Sequence, residues 1–94
     1  HGIVRTAELM HRWFDFCAFT PVLRTHEGNR PDDNLQIDST PALLAHFALM
    51  SRLHAALAPY VRAAGAEAAA SGLPLMRALF LHHPDDRLCW TIQD

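Results

Sequence analysis

The chain is short of the features that announce most functional classes. It has only two cysteines, Cys17 and Cys89, and neither sits in a CxxC or Cys/His ligand spacing. That excludes a disulfide framework and makes a reducing, cytoplasmic compartment the expected one. No metal site or cofactor motif is visible either. No apolar run approaches the roughly 20 residues that cross a bilayer, and the opening residues do not form the charged-then-apolar pattern of a secretory leader. Basic residues are scarce: eight Lys and Arg stand against ten Asp and Glu, for a net charge of −2. Such a balance gives no electrostatic reason to expect nucleic acid or an anionic membrane as a partner.

Apolar residues, by contrast, are plentiful. At 50% hydrophobic and 19% charged, the composition is that of a folded chain, because disordered chains are poor in apolar residues and rich in charge. Ninety-four residues allow one small domain or a piece of a larger one. The chain opens on His1 rather than Met and stops at Asp94, directly after Trp90-Thr91-Ile92-Gln93. Both ends are therefore expected to be cut from a longer polypeptide.

Periodicity predicts a first helix from Ala7 to Ala18. Thr6 is its expected N-cap, and Glu8 places negative charge in the first turn, where the helix dipole favours it. Leu9, Trp13 and Phe16 recur at i, i+4 and i+7, with Met10, Phe14 and Cys17 alongside, which makes a wide apolar face. Core packing is the simplest role for Trp13, Phe14 and Phe16. A second helix should start at Ser39 or Thr40 with Pro41 in its first turn. Leu43, Phe47, Met50, Leu53 and Leu57 mark its apolar stripe. Pro59 should kink or break it near Ala58, since an interior proline removes a hydrogen bond and clashes with the preceding turn. An Ala-rich helix then continues to about Ala70, and Gly72-Leu73-Pro74 stops it.

Two runs read as strands: Phe19 to Thr25 and Leu75 to Phe80. His26 to Asn34 reads as a loop, His82 to Asp86 as a turn, and Arg87 begins another helix. Strands joined by a long helical crossover are expected to be parallel and right-handed. Two such strands do not complete a sheet, because parallel strands need cover on both faces. The expected fold class is thus a slice of an α/β barrel or sheet.

Several motifs, taken together and in order, resemble glycoside hydrolase family 31. They are Glu8-Leu9-Met10-His11-Arg12-Trp13; Ala18-Phe19-Thr20-Pro21-Val22-Leu23-Arg24-Thr25-His26-Glu27-Gly28-Asn29-Arg30-Pro31; Gly72-Leu73-Pro74-Leu75-Met76-Arg77; and Pro84-Asp85-Asp86. The Arg24-to-Pro31 stretch is most similar to the sulfoquinovosidase branch, whose substrates are α-glycosides of 6-sulfo-6-deoxyglucose. Departures occur at Asn34-Leu35-Gln36-Ile37-Asp38, where relatives carry aromatic residues, and at Ala78, where they favour proline. The resemblance implies a partial (β/α)8 TIM barrel, approximately strands 7 and 8 with their helices, and makes residues 1–94 the C-terminal segment of its catalytic domain.

The same resemblance implies a parent that is a retaining α-glycoside hydrolase, either α-glucosidase or sulfoquinovosidase-like, serving carbohydrate metabolism. Retaining enzymes need two carboxyl groups about 5–5.5 Å apart, one as nucleophile and one as acid/base. In the family both are aspartates upstream of this segment, so no catalytic residue is expected here and the segment alone is expected to be inactive. Asp32-Asp33 and Asp85-Asp86 lie beside prolines and read as turn residues. His26, at the C-terminal end of the first predicted strand, matches the histidine that contacts sugar hydroxyls in the family. Arg24, two residues earlier, shares its strand face and either reaches the pocket or forms an ion pair beneath it, the ion pair being favoured. His26 and Arg24 are the candidate substrate-binding residues, with Glu27 a candidate support for His26. Arg30 reads as a loop anchor, and His82 and His83 as surface residues. The expected partners are an α-glycoside and the remainder of the chain's own barrel. A non-enzymatic helical interaction module, or an inactive family member, is the alternative.

Overall fold

The structure is a computed structural model and describes residues 4–26, 30 and 32–92. It divides into two compact units, His1–Pro59 and Tyr60–Asp94.

In the first unit, α1 spans Ala7–Ala18 and α2 spans Pro41–Ala56. Thr6 caps α1 as its sequence predicts: its Oγ1 accepts from the Leu9 N–H at 3.2 Å. Thr40, not Ser39, caps α2 in the same way, with the Leu43 N–H donating at 3.1 Å and Pro41 at the first helical position. The helices pack through Met10, Phe14 and Leu43, with Leu35, Ile37, Phe47 and Met50 partly buried around them. Phe14 and Phe47 meet with ring centroids 4.8 Å apart at 58°, an edge-to-face arrangement that aromatic quadrupoles favour.

One helix neighbour covers one stripe of α1. Met10, Phe14 and Cys17, at i, i+4 and i+7, occupy that stripe and are buried. Trp13 and Phe16 therefore depart from the core role expected of them: they remain 56% and 55% exposed and lie against each other with centroids 5.7 Å apart. Leu9 belongs to the same uncovered side.

The break near Ala58 is present. α2 ends at Ala56, and α3 resumes at Ala58–Ser71 with Pro59 in its first turn, where a missing N–H costs nothing. Gly72 follows α3 at φ +77°, the left-handed conformation that glycine adopts without a Cβ clash. In the second unit α3 is followed by two short 3-10 turns, Leu79–Leu81 and Arg87–Trp90. They are joined by a near-parallel stack of Phe80 on Trp90, 4.6 Å between centroids at 17°. Asp86 Oδ1 caps the second turn by accepting from the Leu88 N–H at 2.9 Å.

The expected fold class, an α/β slice equivalent to strands 7 and 8 of a (β/α)8 barrel, is overturned, because no strand occurs among the described residues. The start of the Phe19–Thr25 run is taken up in closing α1. The Phe19 N–H donates to Phe16 O and the Thr20 N–H to Cys17 O, each at 3.1 Å, while Thr20 Oγ1 donates to Cys17 O and Val22 O. Val22 to His26 then runs without a regular hydrogen-bonding pattern. The Leu75–Phe80 run ends in a 3-10 turn, with the Leu81 N–H on Ala78 O and the His82 N–H on Leu79 O. The reason is general: β-branched composition measures fit to a pleated surface, but a strand exists only through hydrogen bonds to a neighbouring strand. Without such a ladder, local three-residue bonds satisfy the backbone.

Candidate functional site

The site predicted from sequence lies on the irregular stretch that leaves α1. Arg24 and His26 are both exposed and are brought together, with Arg24 Nη2 3.2 Å from His26 Nδ1. A guanidinium can only donate, so in this contact Nδ1 is the acceptor. The remaining Arg24 donors stand beside the ring. The Arg24 guanidinium is exposed and meets the histidine ring. Glu27, the expected support for His26, lies outside the described residues.

What holds this stretch comes from elsewhere in the chain. The Arg5 N–H donates to Asn34 Oδ1 at 2.6 Å, the Leu35 N–H donates to Arg5 O at 3.4 Å, and Arg5 Nη1 donates to His26 O at 3.4 Å. The following turn closes on itself. Arg30 Nε meets Asp33 Oδ2 at 2.8 Å, while Arg30 O accepts from the Asp33 and Asn34 N–H groups. Arg30 is thus the loop anchor its sequence indicates, and Asp33 does turn chemistry. Sequence reasoning missed Arg5 and Asn34. Nothing local marks them, since their partners lie 29 and 21 positions away.

A row of histidines occupies the α1–α2 contact. The His11 and His46 rings are 4.6 Å apart. His46 Nε2 is 2.9 Å from Asp15 Oδ1, although the N–H is not aligned for a hydrogen bond. The ring of His54 reaches Ala18 O through Nδ1 at 3.2 Å, closing a carbonyl at the C-terminal end of α1. Among the described residues no group of three or more His, Cys, Asp or Glu side chains is placed to hold a metal ion.

In the second unit, a cleft of about 310 Å³ is lined by Arg77, Phe80, Cys89 and Trp90, with Ala78, Leu79 and Ile92. Arg77 is nearly buried, its side chain 8% exposed, and Nη2 donates to Glu67 Oε2 at 2.8 Å. Trp90 Nε1 donates to Pro84 O at 2.9 Å, which fixes the indole against Phe80. Both thiols are free. Burial pushes the Cys17 thiol up from its ordinary value. The Cys89 thiol is also raised, by burial first and then by the charge and hydrogen bond of Asp86. A raised thiol is a poorer nucleophile at neutral pH. No helix among the described residues is long and apolar enough to cross a membrane.

No protein-family profile matches the chain. Individual proteins do. It is 57% identical over 93 residues to a sulfoquinovosidase of Agrobacterium fabrum (strain C58 / ATCC 33970), covering 99% of this chain and 14% of that protein. It is 53% identical over 89 residues to a sulfoquinovosidase of Escherichia coli (strain K12), covering 95% of this chain and 13% of that one. An isomaltosyltransferase of Sporosarcina globispora is 28% identical over 95 residues, with 90% and 9% covered. The resemblance carried by the motifs is thus shown: the sequence is sulfoquinovosidase-like throughout, and it spans only about one seventh of the relatives' length.

Proposed function

We propose that this chain is a segment of a retaining α-glycoside hydrolase of family 31, of the sulfoquinovosidase-like branch, and that it supplies part of the sugar-binding pocket. The observation that carries this reading is 57% identity to a sulfoquinovosidase along 99% of the chain. The nucleophile and acid/base are contributed by residues outside this segment, and the segment by itself does not hydrolyse glycosides.

Within the segment, His26 and Arg24 are the substrate-contacting pair. Their 3.2 Å contact sharpens the role. With Nδ1 engaged, His26 offers Nε2–H, and Arg24 adds charged N–H donors next to it. Together they form a donor pair for adjacent sugar oxygens, each hydrogen bond to the charged group being worth about 1.5–3 kcal/mol. Both free thiols suit the cytoplasmic placement expected of the parent.

The exposed apolar side of α1, with Leu9, Trp13 and Phe16, supports contact with the remainder of the same polypeptide. It also supports the second reading, a helical module that binds another protein. Replacing the matching segment of the Agrobacterium fabrum sulfoquinovosidase with these residues decides between them. A folded chimera that cleaves an aryl α-glycoside of 6-sulfo-6-deoxyglucose, and loses turnover on His26→Ala, supports the hydrolase reading. A folded chimera without hydrolysis, or one indifferent to His26→Ala, sinks it.

A further inference from the structure

We infer that Arg5 is the positioning residue of the candidate sugar site, holding the main chain of His26 while Arg24 holds its ring. This inference rests on the reading of His26 as a sugar contact.

His26 has no scaffold of its own. Val22 to His26 has no regular secondary structure, so no ladder of backbone bonds sets the position of His26. A binding side chain has to be held within a few tenths of an ångström by its supporting contacts. The ring is oriented by Arg24, but Arg24 sits on the same irregular stretch and moves with it. An anchor from a rigid element is required.

Arg5 meets that need. It immediately precedes Thr6, the N-cap of α1, and α1 is packed on α2 through Met10, Phe14 and Leu43. Its main chain is tied to the far side of the loop by Asn34 Oδ1 at 2.6 Å and the Leu35 N–H at 3.4 Å. Its side chain then reaches Nη1 to His26 O at 3.4 Å. One residue therefore joins the helix pair, the loop before α2 and the backbone of His26. Arg5 is half-buried, and its Nε and Nη2 atoms are shut off from solvent, so the guanidinium has few alternative rotamers. A planar fork is well suited to such anchoring, because it gives directional donors at full reach, which an ammonium does not fix in the same way. In this role Arg5 acts on substrate binding through His26.

A half-buried arginine can equally serve stability alone, so the test must separate the two roles. In the chimera described above, Arg5→Gln, Arg5→Lys, His26→Ala and the Arg5→Gln/His26→Ala double variant are compared by kcat, KM and thermal midpoint. Displacement of a contact by about 1 Å costs on the order of a hundredfold in rate, so Arg5→Gln is expected to lower kcat by about that factor. Arg5→Lys is expected to recover part of the loss. Arg5→Gln should cost little further once His26 is already Ala, because a residue that acts through another is non-additive with it. If Arg5→Gln leaves kcat unchanged, or its loss multiplies with that of His26→Ala, Arg5 is not a positioning residue. If His26→Ala itself is harmless, the sugar-contact reading fails first, which is a different result from the failure of Arg5. Should Arg5→Gln not fold, Arg5→Lys is put through the same cycle and read by the same rule.

Discussion

Among the described residues of the first unit, Leu43 is the one large side chain buried completely, at 1% exposure, while its neighbour Leu44 on the same helix is 49% exposed. Truncating each to Ala therefore isolates burial from helix propensity, because both substitutions exchange Leu for Ala in α2. Leu43→Ala removes the equivalent of three buried methylenes, about 2.4 kcal/mol at about 0.8 kcal/mol each. A cavity term adds to this, and Leu→Ala in a closed core costs about 2.7–5 kcal/mol in total. Four of the seven residues in this cluster, Leu35, Ile37, Phe47 and Met50, are only partly buried and can move into the space. The cost should accordingly fall near the lower end, about 3 kcal/mol. Leu44→Ala opens no cavity and should cost less than about 1 kcal/mol. Urea unfolding of the 94-residue chain, followed by far-ultraviolet circular dichroism, reads the difference. With a slope of about 1 kcal/mol per molar, Leu43→Ala should lower the midpoint by about 3 M, or abolish the folded state in buffer. Leu44→Ala should move it by under about 1 M. Equal shifts for the two variants would refute the assignment of Leu43 to a core, as would a wild-type chain with no cooperative transition.

Three other outcomes are expected. Gly72→Ala should cost about 1–2 kcal/mol in the same titration: Gly72 stands at φ +77° with no atom within 4 Å of an added Cβ, so backbone strain is the whole effect, and an unchanged midpoint would refute it. The Cys17 thiol, raised above its ordinary 9.0 by burial, should resist iodoacetamide at pH 8 until urea unfolds the chain; because the native state holds the proton longer than the unfolded one, stability should fall as pH rises above about 9, and a flat profile there would contradict the buried assignment. Trp13→Ser with Phe16→Ser should raise the solubility of the isolated chain and leave its helical dichroism intact, since both side chains lie on the uncovered side of α1; loss of helix would place them in the core after all.

Much of the helical framework was legible because its signals are local. Thr6, Thr40, Pro41, Pro59 and Gly72 each act on hydrogen bonds within a turn of themselves, and each ends or begins a helix where expected. The turn roles of Asp33, Asp86 and Arg30 are local too. The apolar pattern of α1 was readable as amphipathic, but not which side would be covered. Leu9, Trp13 and Phe16 and Met10, Phe14 and Cys17 are equally periodic, and only the position of α2 selects the second set.

The strands were misread for the complementary reason. Val22 and Thr25, or Leu75 and Leu79, carry strand composition, yet a strand is a relation between two segments and neither run meets a partner among the described residues. The site divides along the same line. The candidate residues, His26 and Arg24, were nameable from a motif of contiguous residues. The Arg24–His26 contact joins residues two positions apart and is local as well. Packing in space alone brings Arg5, 21 residues away, to the carbonyl of His26. Capping and turn energies are set by neighbours in sequence. Burial and long-range contacts are set by neighbours in space, and those exist only once α1 and α2 have packed.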